Sequence, residues 1–313
     1  MKKFLMSAAC LVAAASMAQA DKLTVLLDWF VNPDHGTLYV AEELGYFADA
    51  GLEVEMIEPT DPSQPPLLVG AGRADLAVSY QPQLHLLVEQ GVPITRVGTL
   101  VATPLNSLVV LEDGPIKSIG DLKGATVGFS VGGFETAVLG AMLAQEGLSI
   151  DDVSLVNVNF ALSPSIYSGR VDAVIGAFRN FELNQMDIEG KPGRAFYPEE
   201  NGVPPYDELI LVAQNGNLDD PRLPLFLGAV EKATQYIINH PDDAWALFIR
   251  GREAALNNEL NRRAWADTLP RFATRPAAMD FGRYARFSAF LKDQGLLQGE
   301  LQDPASLGVD LGQ

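Results

Sequence analysis

The chain has one cysteine in 313 residues, Cys10. It falls inside an N-terminal segment with the anatomy of an export leader. Lys2 and Lys3 come first, an apolar stretch runs from Phe4 to Ala15, and Ala18-Gln19-Ala20 offers a small-x-small cleavage site. Cleavage after Ala20 takes the cysteine away, so the mature chain has no disulfide, no thiolate metal site and no cysteine nucleophile. Reading Cys10 instead as a lipoprotein anchor, after Ser7-Ala8-Ala9, leaves only the six residues from Phe4 to Ala9 as its apolar region, short for a leader.

Basic charge is scarce too. Lys and Arg number 22 against 40 Asp and Glu, and loss of Lys2 and Lys3 takes the formal net charge from −18 to −20. A nucleic acid or an anionic bilayer needs a basic footprint, so both are excluded as partners. No apolar run reaches the ~20 residues of a membrane span. The three histidines, His35, His85 and His240, show no metal-ligand spacing, and no glycine pattern of a nucleotide fold follows a strand. Neither metal nor cofactor is expected. What is present, 48% hydrophobic residues, is enough for a chain held by its core alone.

The apolar pattern predicts strand, helix, strand, short helix, strand, and then the same order again. Leu23–Leu27 reads as a buried strand, with Asn32 as an N-cap and Pro33 as the first helical residue beyond it. Val40, Leu44 and Phe47 mark one face of the helix that follows, which ends at Gly51. Gly51-Leu52 and Gly72-Arg73-Ala74-Asp75 reappear as Gly147-Leu148 and Gly169-Arg170-Val171-Asp172, almost 100 residues later in register. A duplicated α/β unit with mainly parallel sheets follows. Beyond about residue 205 one more strand gives way to helices that return to the first unit. The expected layout is a leader (1–20), a first lobe (21–103), a second lobe (104–206), and a return with C-terminal helices (207–313). Segments crossing near 102–106 and 204–208 leave a cleft, lined by loops at the C-terminal ends of parallel strands: 28–36, 59–65, 79–82, 130–135, 159–164 and 178–182.

One motif in these loops suggests an enzyme. Gly128-Phe129-Ser130-Val131-Gly132 matches the nucleophile elbow of a secreted serine esterase. Its partners are poor, since only His240 follows it and no oxyanion loop is visible. The other reading is a helix N-terminus where Ser130, Gly132 and Gly133 hold a polar ligand. The loops otherwise share aromatic and neutral-polar chemistry: Trp29, His35, Tyr80, Gln81, Phe178, Asn180 and Glu182. Flat rings suit stacking on a planar heterocycle, and amides with a carboxylate suit its ring nitrogens and amino group.

The stretch Leu27-Asp28-Trp29-Phe30-Val31-Asn32-Pro33-Asp34-His35-Gly36, with Leu38-Tyr39-Val40-Ala41, resembles the opening of NMT1/THI5-like substrate-binding proteins. The resemblance continues through Ala77–Gln83, Gly128–Glu135 and Ile175–Glu182 and covers roughly residues 23–215. It implies a two-lobed α/β periplasmic binding protein fold (type II-like), a ligand cleft between the lobes and a helical C-terminal segment. It also implies an aromatic sandwich around an aminopyrimidine, with Trp29 and Tyr80 at the aromatic positions and Asn32, His35 and Glu182 at the polar ones. The function implied is capture of hydroxymethylpyrimidine or formylaminopyrimidine in the periplasm for an ABC transporter permease, by a monomer. Riboflavin or a sulfonate-like anion are the alternative ligands. Enzyme relatives that make the pyrimidine carry a cysteine-rich iron motif and no leader, unlike this chain. Many relatives have proline where Val31 stands.

Overall fold

A computed structural model describes residues 20–312; Cys10 and the leader through residue 19 lie outside the described residues. Ten strands follow in chain order: β1 (Asp21–Leu26), β2 (Leu52–Ile57), β3 (Leu76–Ser79), β4 (Ile94–Val101), β5 (Asn106–Leu111), β6 (Thr126–Phe129), β7 (Ser154–Asn157), β8 (Ala173–Phe178), β9 (Gly193–Phe196) and β10 (Leu209–Gln214). They form two sheets built to one plan, β2-β1-β3-β10-β4 and β7-β6-β8-β5-β9.

In each sheet three strands are parallel, and the fourth runs antiparallel to both neighbours. The expectation of mainly parallel sheets is corrected: half the pairings in each are antiparallel. Strand exchange is the cause. The four residues between β4 and β5 are too few for a crossover within one sheet, so the chain passes into the second sheet, and β10 later returns to the first. Glu208 laces the two crossings together by accepting the N–H groups of Leu105 (2.5 Å) and Asn106 (2.9 Å).

The repeat is carried by matching devices. Gly72 and Gly169 both turn the chain at φ +68°. In the first unit the following Asp75 accepts the Thr24 N–H at 2.8 Å, and in the second Asp172 accepts the Thr126 N–H at 2.8 Å. Each aspartate thus ties the start of its third strand to the first. Strands β3 and β8 are buried along their length except at Phe178, as parallel strands covered on both faces must be.

One expected helix is two. Asn32 caps a 3₁₀ turn, Pro33–His35, that runs into the helix Gly36–Glu43; Gly45, at φ +75°, breaks the chain before the helix Tyr46–Asp49. The long tail helix Arg222–Asn239 buries Leu223, Phe226, Val230 and Ile237 against the first unit, with Phe226 stacked on Phe47 at 5.1 Å. Trp265, from the tail helix Glu259–Thr268, lies so close to Gly36 that a Cβ there would fall 2.6 Å from the indole. Among the described residues no helix is long and apolar enough to cross a membrane.

Candidate functional site

The loop after β1 turns back under its own side chains. Asn32 accepts the Asp34 N–H at 2.8 Å, and His35 accepts the Asn32 N–H through Nδ1 at 3.4 Å. That leaves the His35 Nε2–H to donate to Asp28 Oδ1 at 2.8 Å, an assignment fixed by the network. The other oxygen of Asp28 accepts the Tyr80 hydroxyl, also at 2.8 Å. Asp28 is therefore held from two strand ends while buried. Burial and the Asp28 charge push the Tyr80 phenol well above its ordinary range, so it remains a neutral donor.

Across the cleft, the second unit presents carboxyl groups held by backbone amides. Glu135, in the first turn of the helix Phe134–Gln145, folds back to accept the Ser130 N–H at 2.7 Å. Glu182, at the start of the helix Glu182–Ile188, accepts the Phe178 N–H at 2.6 Å. Gly176, at φ +101°, makes room for Glu135: a Cβ there would fall 2.3 Å from its Oε1. Only glycine fits such a contact in that conformation.

Between these faces lies a cleft whose open space, including what is continuous with solvent, is about 390 Å³. The first lobe contributes Asp28, Trp29, Asn32, Asp34 and Tyr80; the second contributes Glu135, Leu162, Gly176, Phe178, Phe181 and Glu182. Tyr80 stacks on Phe134 at 5.0 Å and meets Phe178 edge-on at 6.4 Å. Trp29 meets Phe160 of the opposite lobe edge-on at 4.7 Å, and Phe30 meets it at 4.5 Å.

The lobes are closed on one another by polar bonds as well. Asn180 donates to Asp34 Oδ1 and to Thr268 Oγ1 of the tail, each at 2.7 Å. Farther out, Asn184 donates to Asp267 at 2.8 Å and Arg263 pairs with Asp187 at 2.6 Å.

Burial sets the acidity of this cavity. It pushes Asp34 up to about 6 against the hydrogen bonds from Thr268 and Asn180, and Glu182 to about 7 against the Phe178 amide. Glu135 rises to about 8, burial outweighing the Ser130 and Val131 amides, with the charges of Glu208 and Glu182 adding to it. Glu208 behind the cavity is raised by burial to about 7. A protonated carboxyl presents a donor beside an acceptor. The N–C–NH₂ edge of an aminopyrimidine presents an acceptor beside a donor, so the two can pair twice.

Of the residues expected at a site, the cavity brings together Trp29, Asn32, Tyr80, Phe178 and Glu182. His35 lies beneath the wall and holds Asp28. Asn180 bridges the lobes. Gln81 is turned away: its Oε1 accepts the Asp207 N–H at 2.9 Å, bracing a crossing segment. The Ser130 hydroxyl donates to the Asn159 carbonyl, and no histidine bonds to it. Gly132 and Gly133 form the turn before the helix Phe134–Gln145, and the Ser130 amide ahead of that turn serves Glu135. The loop 59–65 contributes nothing to the cavity. Asp28, Asp34 and Glu135 were not singled out from sequence. Their signal is position, at the C-terminal end of a strand or in the first turn beyond one. Among the described residues no group of three His, Cys, Asp or Glu side chains is arranged to hold a metal ion.

Two sheets that exchange strands, with a cavity between them, define a protein of the periplasmic binding protein fold. The alkanesulfonate-binding protein SsuA of Xanthomonas axonopodis pv. citri, solved with bound MOPS, superposes with a TM-score of 0.73 at 15% identity, covering 92% of this chain and 98% of that one. The chain belongs to the NMT1/THI5-like family, whose profile matches residues 32–244. A Haemophilus influenzae relative named "Putative thiamine biosynthesis protein" is 52% identical over 277 residues, 88% of each chain. The formylaminopyrimidine-binding protein of Halalkalibacterium halodurans is 36% identical, over 79% of this chain and 76% of that one. A Legionella pneumophila relative at 25% identity, over 87% of each chain, is named 4-amino-5-hydroxymethyl-2-methylpyrimidine phosphate synthase.

Proposed function

We propose that this protein captures a thiamine-precursor pyrimidine, of the hydroxymethyl or formylamino type, and delivers it to the permease of an ABC importer. The observation that carries the reading is the cavity itself, in which aromatic rings and hydrogen-bonding carboxyls from both lobes converge on a space for one small heterocycle. The 36% identity to a formylaminopyrimidine-binding protein supports it. Trp29, Tyr80 and Phe178 form the aromatic walls, Asn32, Asp34, Glu135 and Glu182 the polar contacts, and His35 and Asn180 hold contacts in place. The protein acts as a monomer, in the periplasm, after removal of residues 1–20.

Mechanism follows from the two-lobed form. A ligand that touches both lobes binds the closed arrangement better than the open one, and only that difference shifts the equilibrium. A sulfonate-like anion finds carboxyls instead of cations, and the amide near Ser130 that would greet it is occupied by Glu135. We also propose that the chain is not an enzyme: the Ser130 hydroxyl is committed to a backbone carbonyl, so an elbow nucleophile has no base.

A thermal-shift panel tests the proposal. At a hundredfold excess over Kd a ligand stabilises the fold by about 2.7 kcal/mol. Hydroxymethyl- or formylamino-pyrimidine should raise the melting temperature by several degrees, and riboflavin and methanesulfonate should not. A shift with methanesulfonate alone would overturn the reading, as would hydrolysis of p-nitrophenyl esters abolished by Ser130→Ala.

A further inference from the structure

We infer that the cavity selects its pyrimidine by charge, preferring a ring that carries an ammonium arm to the same ring with a neutral one. The inference rests on the pyrimidine reading and goes beyond the neutral hydroxymethyl and formylamino forms to a charged one. Four carboxyls line the cavity, Asp28, Asp34, Glu135 and Glu182, and no lysine, arginine or histidine lines it. The nearby bases are all engaged elsewhere. His35 bonds to Asp28 beneath the wall. Arg179 is turned outward, bidentate on Glu199 at 2.6 and 3.0 Å and stacked over Tyr197 at 4.0 Å. Glu208 stands behind the cavity and adds a fifth carboxyl.

Asp34 supplies the specific docking atom. Its side chain is only 1% exposed, and Oδ1 is committed to Asn180 and Thr268. Oδ2 has no hydrogen-bond partner among the described residues, on a side chain that forms part of the cavity wall. A carboxylate oxygen left free at a cavity surface is open to a donor, and a cationic donor satisfies it best. Where no cation answers that demand the crowded acids meet it with protons, which burial helps Asp34, Glu182 and Glu135 to hold. An ammonium group replaces the proton as partner and can also face the Trp29 ring. A neutral arm does neither, and an anionic one meets like charge on every side.

Three probes share one ring. The first is 4-amino-5-hydroxymethyl-2-methylpyrimidine, the second has an aminomethyl arm in place of hydroxymethyl, and the third is the N-formyl derivative of that amine. Calorimetric titration of the mature full chain at pH 7 should show the aminomethyl compound binding at least tenfold tighter than either neutral one. In Asp34→Asn and Glu182→Gln, checked for folding by circular dichroism, the preference should shrink at least threefold in one or both. Equal or weaker binding of the amine overturns charge selection and leaves the pyrimidine reading standing. A preference that persists unchanged in both variants also overturns it, because its source would lie outside these carboxyls. Binding of none of the three compounds overturns the pyrimidine reading and this inference together.

Discussion

The two lobes are the same sheet built twice, yet the strand ends they present to the cavity hold their acids differently. In the first lobe Asp28 is clamped by side chains, His35 on one oxygen and the Tyr80 hydroxyl on the other. In the second, Glu135 and Glu182 are held by backbone amides alone and no cation comes near them in the cavity wall. Topology fixed where the acids sit, since both sets occupy the C-terminal ends of parallel strands or the turns beyond them. The local partners decided what each acid can do. The first lobe offers a fixed aspartate, Asp28, and the second offers groups that, like Asp34, can hold or release a proton near neutrality.

Breaking the clamp in the first lobe carries the largest effect. His35→Ala removes a buried donor from Asp28 and a partner from the Asn32 cap, leaving an oxygen unpaired. The expected loss is about 3 kcal/mol of stability, seen in urea titration, with weakened pyrimidine binding. Replacing the second-lobe group acts on binding first. Glu182→Ala deletes a charge-assisted contact of roughly 2–3 kcal/mol, so affinity should fall about thirtyfold to a hundredfold while the melting temperature changes little. If His35→Ala proved harmless and Glu182→Ala unfolded the protein, the contrast between the lobes would be reversed.

The contrast also has a pH signature. Acids whose folded pKa lies above the unfolded value keep protons that the unfolded chain has already lost. Their contribution is most favourable below the ordinary carboxyl range and is lost as pH rises through about 6 to 8. The unliganded protein should therefore melt higher at pH 5.5 than at pH 8.5. Glu135→Gln, in the second lobe, should flatten that slope and raise the melting temperature at pH 8.5. A melting temperature that climbs steadily toward pH 8.5 would contradict the account. The smallest effect belongs to the bond that joins the lobes. Thr268→Val removes one donor to Asp34 and one acceptor for Asn180. About 1 kcal/mol less support for closure should appear as a more open unliganded form in small-angle scattering and a several-fold weaker affinity.

Much of this was readable in the chain. The Gly-Arg-x-Asp repeat announced two similar units because it performs the same task in both, a glycine turn and an aspartate on the first strand. The cleft loops were legible for the same reason: strand ends before a helix are few, and Trp29, Tyr80 and Glu182 stand at them. Strand β4 was not legible. Its Arg96 and Gly98 break the apolar pattern, though both are buried. The two terminal nitrogens of Arg96 donate to the carbonyls of Pro276, Ala277, Ala278 and Val309, contacts about 180 residues and more away in sequence. The mixed character of the sheets was hidden because strand exchange leaves no local mark. Glu135 was hidden because an acid in a helix's first turn ordinarily answers the helix dipole. Ser130 misled in the opposite way, since a turn that seats Glu135 has the spacing of a nucleophile elbow.

The most direct test of the central claim is a calorimetric titration of the mature protein with the hydroxymethylpyrimidine, repeated on Glu182→Ala. Saturable binding at one site per chain and a loss of at least thirtyfold in the variant are expected. Unchanged affinity in Glu182→Ala, or no pyrimidine binding beside tight binding of methanesulfonate, would contradict it.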